Sequence, residues 1–174
     1  MHSLINSQKI LSASVRLRLL RTIRNQFILD WTGVHGVPHW ARVRYHGLRL
    51  SQESGADPLV VELFAFLHDS RRHDENIDHL HGHRAAEYAM SLQGPVFDLT
   101  QKQLALLYTA IDKHSDGLVH SDATIQTCWD ADRLDLGRVG IYPSAKYLSF
   151  AATKYTHEAF EWSRGNAKVS LRAL

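Results

Sequence analysis

A nearly all-apolar segment from Leu59 to Leu67 constrains the fold more than any other part of the sequence. Asp57 and Pro58 precede it, and this pair is typical of a helix N-cap followed by the first helical residue. Because the segment is apolar on almost every face, we predict a helix buried at the centre of the domain. The dipeptide His68-Asp69 follows directly, so two potential metal ligands stand at the end of this helix.

The rest of the chain also has helical periodicity. Apolar residues recur every four or five positions in the first segment. Pro38 suits the first turn of a second helix, Thr100 begins a capping-box pattern, and Ser144 predicts the start of a long last helix through Phe160. Further helices are predicted around His81–Tyr88, from Leu104 to His114 and from Ile125 to Leu136. No strand-like alternation persists and no stretch resembles a linker, so we predict an all-α bundle that is one domain over residues 1–174.

Composition argues against several classes of protein. The net charge is only +2, and lysine and arginine are scattered, which disfavours a dedicated nucleic-acid surface. The basic stretch Arg16–Arg24 is interpreted as the solvated face of an amphipathic helix. The single cysteine, Cys128, excludes an internal disulfide and is interpreted as a small buried thiol. No segment approaches the roughly 20 apolar residues of a membrane span or resembles a signal peptide, so we expect a cytoplasmic protein without a membrane partner.

Twelve histidines prompt a search for a metal site. Neighbouring residues on a straight helix point about 100° apart, so His68 and Asp69 can share an ion only where the helix ends and the backbone turns. His39 lies on the preceding predicted helix and Asp132 on a later one. Three helices packed side by side can bring such residues into one interior pocket. A mixed set of imidazole and carboxylate ligands suits zinc, manganese or iron.

In the order His39, then His68-Asp69, then Asp132 within an Ala-Asp-Arg-Leu stretch, the sequence resembles the HD superfamily of metal-dependent phosphohydrolases. The superfamily is named for the His-Asp dipeptide. The region that carries these motifs spans about residues 34–143, and its surroundings are similar to a bacterial branch of uncharacterised HD hydrolases. The resemblance implies an HD-domain helical bundle, with N-terminal and C-terminal helices packed on that region. The resemblance indicates almost nothing about the substrate.

The resemblance also implies roles for individual residues. The four ligands of a mononuclear metal site are matched by His39, His68, Asp69 and Asp132. Asp69 would in addition orient the attacking water. Some branches hold a second metal through further histidines, which His81 and His114 match here, with His83 as an alternative to His81.

Several of these residues have competing interpretations. Asp130 and Asp135 lie on the same short helix as Asp132, and only the Ala-Asp-Arg-Leu match favours Asp132. His114 precedes a helix end, where a histidine can simply complement the helix dipole. Nothing in the sequence assigns a role to His35. Other histidines are expected at the surface or behind the ligands: His46, His73, His79, His120 and His157.

This set of residue types suits the cleavage of a phosphate ester. A bound divalent cation lowers the pKa of its water from about 15.7 to about 7–9 and can polarise a phosphoryl oxygen. Positive groups must also face the equatorial oxygens, and the guanidinium group suits that contact. Arg72 and Arg133 are predicted to act in catalysis, although Arg133 has a structural ion pair as its alternative. The predicted phosphate-binding residues are Arg71, Arg84, His81 and His114.

We therefore expect a hydrolase that cleaves a phosphate ester or anhydride by metal-activated water. The expected cofactor is a divalent cation from among manganese, zinc, iron, cobalt, nickel and magnesium. The expected partner is a small phosphorylated substrate, in the first place a nucleotide. Two alternatives use the same residues: a di-iron oxygenase of the same superfamily, and a non-catalytic metal-binding module that senses a nucleotide.

Overall fold

The helices of the computed structural model, which describes residues 10–165, follow the apolar periodicity of the sequence. They are α1 (Ala13–Arg24), α2 (Val37–Ser54), α3 (Pro58–Leu67), α4 (His81–Ser91), α5 (Gln101–Lys113), α6 (Ala123–Leu134), α7 (Phe150–Thr153) and α8 (Thr156–Gly165). Two short 3-10 helices, Asp135–Val139 and Ala145–Tyr147, lie between α6 and α7. No β-strand forms between residues 10 and 165, so the prediction of an all-α fold is confirmed.

Side-chain caps determine where the central helices begin. Asp57 accepts hydrogen bonds from the backbone N–H groups of Leu59 and Val60, at 3.0 and 3.4 Å. Thr100 and Gln103 form the predicted capping box at the start of α5. Each cap satisfies donors that a helix end would otherwise leave unpaired, and a cap typically contributes about 1 kcal/mol.

Helix α3 is the centre of the bundle, because every one of its residues is buried. Helices α2, α5 and α6 pack around it, and α4 packs on α5. The one charged side chain of α3, Glu62, accepts hydrogen bonds from Leu11 N at 2.6 Å and from Arg44 Nε at 2.7 Å. A buried carboxylate with such partners avoids the cost of an unpaired charge. The C-terminal end of α3 therefore stops inside the molecule, where it presents His68 and Asp69.

The prediction of one long last helix is wrong. A 3-10 turn at Ala145–Tyr147 gives way to extended backbone at Leu148, and α7 and α8 follow as separate short helices. Ser144 makes no side-chain cap, whereas Ser149 caps α7 by accepting a hydrogen bond from Ala152 N.

Side chains of α6 prevent the predicted continuous helix from Ser144 through Phe160. Arg133 Nη1 donates to the carbonyl oxygen of Tyr147 at 2.6 Å, and Gln126 Nε2 donates to the same oxygen at 3.2 Å. Asp130 Oδ1 accepts a hydrogen bond from Ser149 N at 3.1 Å. These contacts satisfy backbone groups that a continuous helix would pair within itself, so the segment is fixed against α6 instead.

Cys128 is buried on α6, as the sequence predicted. Burial raises the pKa of its thiol well above the ordinary value, so the group is an apolar packing element rather than a nucleophile. None of the helices between residues 10 and 165 combines the length and apolar character that a membrane span requires.

His46 lies in the interior rather than at the surface. Its side chain packs against the rings of Tyr45 and Trp162, with centroids 5.5 and 5.3 Å away, and the residue is only 2 % exposed. Neither ring nitrogen has a hydrogen-bond partner. Burial lowers the pKa of His46 to about 4, so the ring is neutral in the folded protein at neutral pH.

We expect His46 to make the protein less stable as pH falls from about 6.5 towards about 4. In that interval the unfolded state binds a proton that the folded state does not, which favours unfolding by roughly 3 kcal/mol when complete. Urea unfolding at about pH 7 and about pH 4.5 measures the effect. His46→Leu should lose less stability over this interval than the wild type. An identical pH dependence in the two proteins would contradict the assignment.

Candidate metal centre

Four histidines and two aspartates meet at the centre of the bundle. We call this group the His/Asp cluster, and its members are His39, His68, Asp69, His81, His114 and Asp132. Helices α2, α4 and α6 supply one side chain each from within the helix, and the ends of α3 and α5 supply the others. The structure thus brings together every residue that the sequence analysis assigned to a metal site.

One half of the cluster is formed by His39, His68, Asp69 and Asp132. His39 Nε2 lies 3.0 Å from His68 Nε2, 3.3 Å from Asp132 Oδ1 and 3.6 Å from Asp69 Oδ2. His68 Nε2 lies 3.6 Å from Asp69 Oδ2 and 3.7 Å from Asp132 Oδ1. Ligand atoms at about 2.0–2.2 Å from one tetrahedral ion are roughly 3.3–3.6 Å apart. The separations of 3.0–3.7 Å are therefore close to the spacing of ligands around one ion.

Asp69 faces two pairs of histidines with different oxygens. While Oδ2 faces His39 and His68, Oδ1 lies 3.3 Å from His81 Nε2 and 3.7 Å from His114 Nε2. These two Nε2 atoms are 2.9 Å apart. Asp69 Oδ1 is buried and has no hydrogen-bond partner, which is costly for a carboxylate oxygen unless a cation binds it. A carboxylate in this position can bridge two ions, so the cluster fits one metal or two.

Hydrogen bonds on the outer side of the cluster fix which nitrogen of each imidazole carries the proton. Every Nδ1 faces an oxygen that can only accept: His39 faces Asp135 Oδ2 at 2.7 Å, His68 faces Phe64 O at 3.2 Å, His81 faces Asp78 O at 2.5 Å and His114 faces Ile111 O at 2.7 Å. A neutral imidazole has a single N–H, so each Nε2 presents a lone pair. Lone pairs 2.9–3.0 Å apart repel each other unless a cation lies between them. The donor set therefore fits a divalent metal.

Burial and charge favour the ligating forms of most of these groups. Burial lowers the pKa of His68 to about 3, so its imidazole is neutral. Burial raises the pKa of Asp132, but the opposite effect of His39 and His68 is larger, so the pKa is lowered and the carboxylate is charged. His114 differs: burial lowers its pKa, but Asp69 and Asp132 outweigh burial and raise it.

The close approach of α4 and α5 places His81 beside His114. A Cβ atom on Gly82 would lie 2.9 Å from the carbonyl oxygens of both Ile111 and Asp112, so only glycine allows this contact between backbones. His83, the alternative to His81, is exposed and pairs with Asp112 at 3.1 Å. The structure therefore places His81 in the cluster and His83 outside it.

The three aspartates at the end of α6 occupy different positions. Asp132 lies in the cluster, whereas Asp130 accepts hydrogen bonds from Ser149 N and from Gln126 Nε2. Asp135 lies behind His39 and is completely buried. The competition among these residues, open in the sequence, is resolved in two ways: Asp130 and Asp132 point about 200° apart on α6, and Asp135 follows the end of α6 at Leu134.

Asp135 supports His39 on the side away from the cluster. It accepts the Nδ1–H of His39 at 2.7 Å and is held by Arg42, whose Nε lies 2.5 Å from Oδ1 and whose Nη2 lies 3.0 Å from Oδ2. A carboxylate bound to the outer nitrogen of a ligating histidine fixes the orientation of the ring and increases its basicity. Sequence analysis treated Asp135 only as a competitor of Asp132.

We expect Asp135→Asn to weaken divalent metal binding by roughly 10-fold to 100-fold, because the amide cannot stabilise positive charge on His39 as a carboxylate does. Competition with a chromophoric chelator measures the affinity. Asp130→Asn is the matched control, since it removes another buried carboxylate near the same helix end and should leave metal affinity unchanged. Equal affinities in both variants and the wild type would contradict the role of Asp135.

A cavity of about 440 Å³ opens beside the cluster. Asp69, His81, His114 and Asp132 line one side of it, and Arg72 is also part of its wall. Arg72 Nη1 lies 3.5 Å from Asp69 Oδ1 and 3.2 Å from His81 Nε2. The structure therefore places Arg72 where a ligand bound at the cluster would meet it.

The other three candidate arginines are engaged elsewhere. Arg133 lines the cavity, but it donates hydrogen bonds to the carbonyl oxygens of Tyr147 and Leu118 at 2.6 and 2.7 Å, so it makes a structural contact other than the ion pair considered from the sequence. Arg71 and Arg84 lie outside this cavity. Arg71 donates to Gln26, and Arg84 pairs with Asp78 at 2.5 Å.

Two residues that line the cavity had no role in the sequence analysis. His35 lies in the turn before α2, and its Nδ1 is 2.5 Å from Glu75 Oε2. Arg138 lies in the 3-10 helix after α6. The available signals were spacings: His35 stands four residues before His39, and Arg138 three residues after Asp135. Of the other histidines, His73, His79 and His157 are exposed and His120 is half-buried.

The fold is similar to the crystal structure of a predicted HD superfamily hydrolase from an uncultured Thermotogales bacterium. The two are 26% identical with a TM-score of 0.65, and the match covers 86% of this chain and 87% of that chain. No protein-family model matches the sequence, and no curated protein does. Because the likeness spans most of both chains, the helical fold implied by the order of the motif residues is confirmed.

Proposed function

The chain has the HD superfamily fold, and from it we propose a metal-dependent hydrolase that cleaves a phosphate ester or anhydride. The observation that carries the proposal is that four imidazoles and two carboxylates form three overlapping groups of potential metal ligands beside a cavity. The similar Thermotogales protein, itself a predicted hydrolase, supports hydrolysis as the class of reaction. We propose a nucleotide or another small phosphorylated metabolite as the substrate.

The residues present fit a divalent cation, and each would have a defined part in holding it. One ion would be held by His39, His68, Asp69 and Asp132. A second would be held by His81 and His114, with Asp69 shared between the two. Nitrogen and oxygen donors together suit manganese, zinc, iron, cobalt or nickel better than magnesium, which prefers oxygen alone. When bound, such a cation acidifies a coordinated water and polarises a phosphoryl oxygen.

Two side chains would act on the reactants directly. Asp69 faces the cavity and would orient the attacking water through Oδ1, which accepts no hydrogen bond from the protein. Arg72, at the edge of the same cavity, would donate N–H groups to a phosphoryl oxygen. We assign Arg133 to holding the cavity wall, because both of its Nη groups donate to backbone carbonyls, whereas Arg72 keeps Nη1 beside Asp69 and His81.

Phosphate release by chelator-stripped protein tests the proposal. The protein is resupplied separately with manganese, zinc, cobalt, nickel, magnesium and ferrous iron, and is offered nucleoside mono-, di- and triphosphates and generic phosphate esters. We expect turnover with at least one metal and its loss in His68→Ala, while the exposed His83→Ala serves as the matched control. Absence of turnover with every combination, despite bound metal, would contradict the proposal and favour the oxygenase or the nucleotide-sensing module.

A further inference from the structure

Much of the cavity wall outside the cluster is apolar. We call it the apolar wall, and it consists of Leu136, Val139, Ile141, Tyr142 and Tyr147. Val139, Ile141 and Tyr142 are each about half exposed, although they are large hydrophobic side chains. Exposed apolar surface that lines a cavity next to convergent polar groups is typical of a small-molecule site. The cluster accounts for only part of the lining of this cavity.

The apolar wall is held at a fixed position relative to the cluster. Arg133, which follows Asp132 on α6, binds the carbonyl oxygen of Tyr147 at 2.6 Å. At the other end of the wall, Ile141 N donates to Leu136 O at 3.1 Å. The ring of Tyr142 packs on Phe160 with centroids 5.1 Å apart. Since the same helix carries Asp132 and anchors the wall, a molecule bound at the cluster would find an apolar surface already formed.

The arginines that line the cavity, Arg72, Arg133 and Arg138, already donate to backbone carbonyls. Arg72 donates from Nε and Nη2 to the carbonyl oxygens of Asp74 and Asn76, both at 3.2 Å. Arg138 donates from Nε to Val34 O at 2.8 Å and from Nη1 to Asp135 O at 3.2 Å. Among the described residues that line the cavity there is no lysine. A triphosphate chain requires several cationic groups along its length, and these guanidinium groups have few N–H donors left for it.

We propose that the substrate is a phosphomonoester whose alcohol carries an apolar or aromatic group, with the phosphate at the cluster and that group against the apolar wall. The inference rests on the proposed function and narrows its substrate class to esters with one phosphate. In the reaction the oxygen of water forms a bond to phosphorus and the ester P–O bond breaks. The alcohol leaves with one proton of the water, and inorganic phosphate is the second product.

Steady-state kinetics with matched substrates tests the inference. Naphthyl phosphate offers a monoester with an aromatic alcohol, glycerol phosphate a monoester with a polar alcohol, and adenosine triphosphate a polyphosphate. We expect kcat/KM to be highest for naphthyl phosphate and at least tenfold lower for the other two, because contact with apolar surface of this size discriminates by roughly 10-fold to 100-fold. Naphthol is also a better leaving group than glycerol, so the change of this ratio in variants of the wall separates the two causes. Calorimetric titration with naphthyl phosphonate, which cannot be hydrolysed at its P–C bond, measures binding apart from turnover.

Substitutions in the apolar wall test whether it causes the preference for naphthyl phosphate. In Tyr142→Ala the ratio of kcat/KM for naphthyl phosphate over glycerol phosphate should fall roughly tenfold, mainly through KM. Ile141→Ser should give a smaller fall without removing the ring that contacts Phe160, and Tyr142→Phe should retain the preference. Phe150→Ala, an exposed aromatic residue outside the cavity, is the control.

The outcomes separate this inference from the function on which it rests. Turnover of all three substrates at similar kcat/KM, or an unchanged ratio in Tyr142→Ala and Ile141→Ser, would overturn the inference and leave phosphate hydrolysis standing. A preference for adenosine triphosphate would overturn it as well. Failure to release phosphate from any substrate with any metal would instead count against the proposed function.

Discussion

Replacing Asp69 with alanine is expected to remove bound divalent metal and to lower kcat/KM for phosphate release by roughly a thousandfold or more. Asp69 Oδ2 faces His39 and His68, while Oδ1 faces His81 and His114, so one substitution removes a ligand from both halves of the cluster. Metal ions contribute several kcal/mol to the stabilisation of a transition state, and each 1.36 kcal/mol corresponds to about tenfold in rate. Metal content by elemental analysis and phosphate release are the measurements.

The variant should remain folded, because the core around α3 does not depend on this carboxylate. Asp69 Oδ1 has no hydrogen-bond partner, and Arg72, whose Nη1 lies 3.5 Å from it, keeps its hydrogen bonds to the carbonyl oxygens of Asp74 and Asn76. Far-ultraviolet circular dichroism should therefore show an unchanged helical spectrum. Asp112→Ala, which removes a carboxylate on α5 that pairs with His83, is the matched control. Wild-type activity in Asp69→Ala would refute the assignment of the metal centre.

Replacing Phe64 with alanine is expected to lower the free energy of unfolding by about 3–5 kcal/mol. Phe64 is fully buried on α3, and its ring stacks on His68 with centroids 4.9 Å apart and an angle of 18°. The substitution leaves a void at the centre of the bundle that surrounding helices can fill only in part, since packing in a core is close to that of a crystal. Chemical denaturation of the metal-free protein measures the loss.

Phe150 provides the control for this prediction. It is also a phenylalanine in a helix, but it is 83 % exposed. Phe150→Ala should therefore change the free energy of unfolding by less than about 0.5 kcal/mol. A loss below about 1 kcal/mol in Phe64→Ala would show that α3 is not the centre of the core in solution.

The central part of this architecture could be predicted because its signals are local. An apolar segment between the cap at Asp57 and the dipeptide His68-Asp69 indicates a buried helix that ends at a potential metal site, and α3 has those boundaries. The positions of His39 and Asp132 followed from the order of the motif residues. The bounds of α3 depend on side-chain periodicity and capping, which act over a few residues, whereas the assignment of His39 and Asp132 came from the resemblance to the HD superfamily.

The rest could not be predicted because it depends on contacts between distant residues. The last helix is interrupted where Arg133 and Asp130 bind backbone groups of Tyr147 and Ser149, and periodicity carries no record of such contacts. Arg71 lies only two residues from Asp69, but proximity in sequence does not fix direction where α3 gives way to a turn. Its guanidinium lies 5.4 Å from the ring centroid of Tyr88, outside the cavity beside the cluster.

Reactivation of the metal-free protein tests the central claim most directly. Protein stripped with a chelator is titrated with manganese and, separately, with zinc, and bound metal and phosphate release are measured on the same samples. The geometry of the His/Asp cluster predicts that activity is lost on stripping and returns in proportion to bound metal, saturating at one or two ions per chain. Undiminished phosphate release from metal-free protein, or full metal occupancy with no release, would contradict a metal-dependent phosphohydrolase.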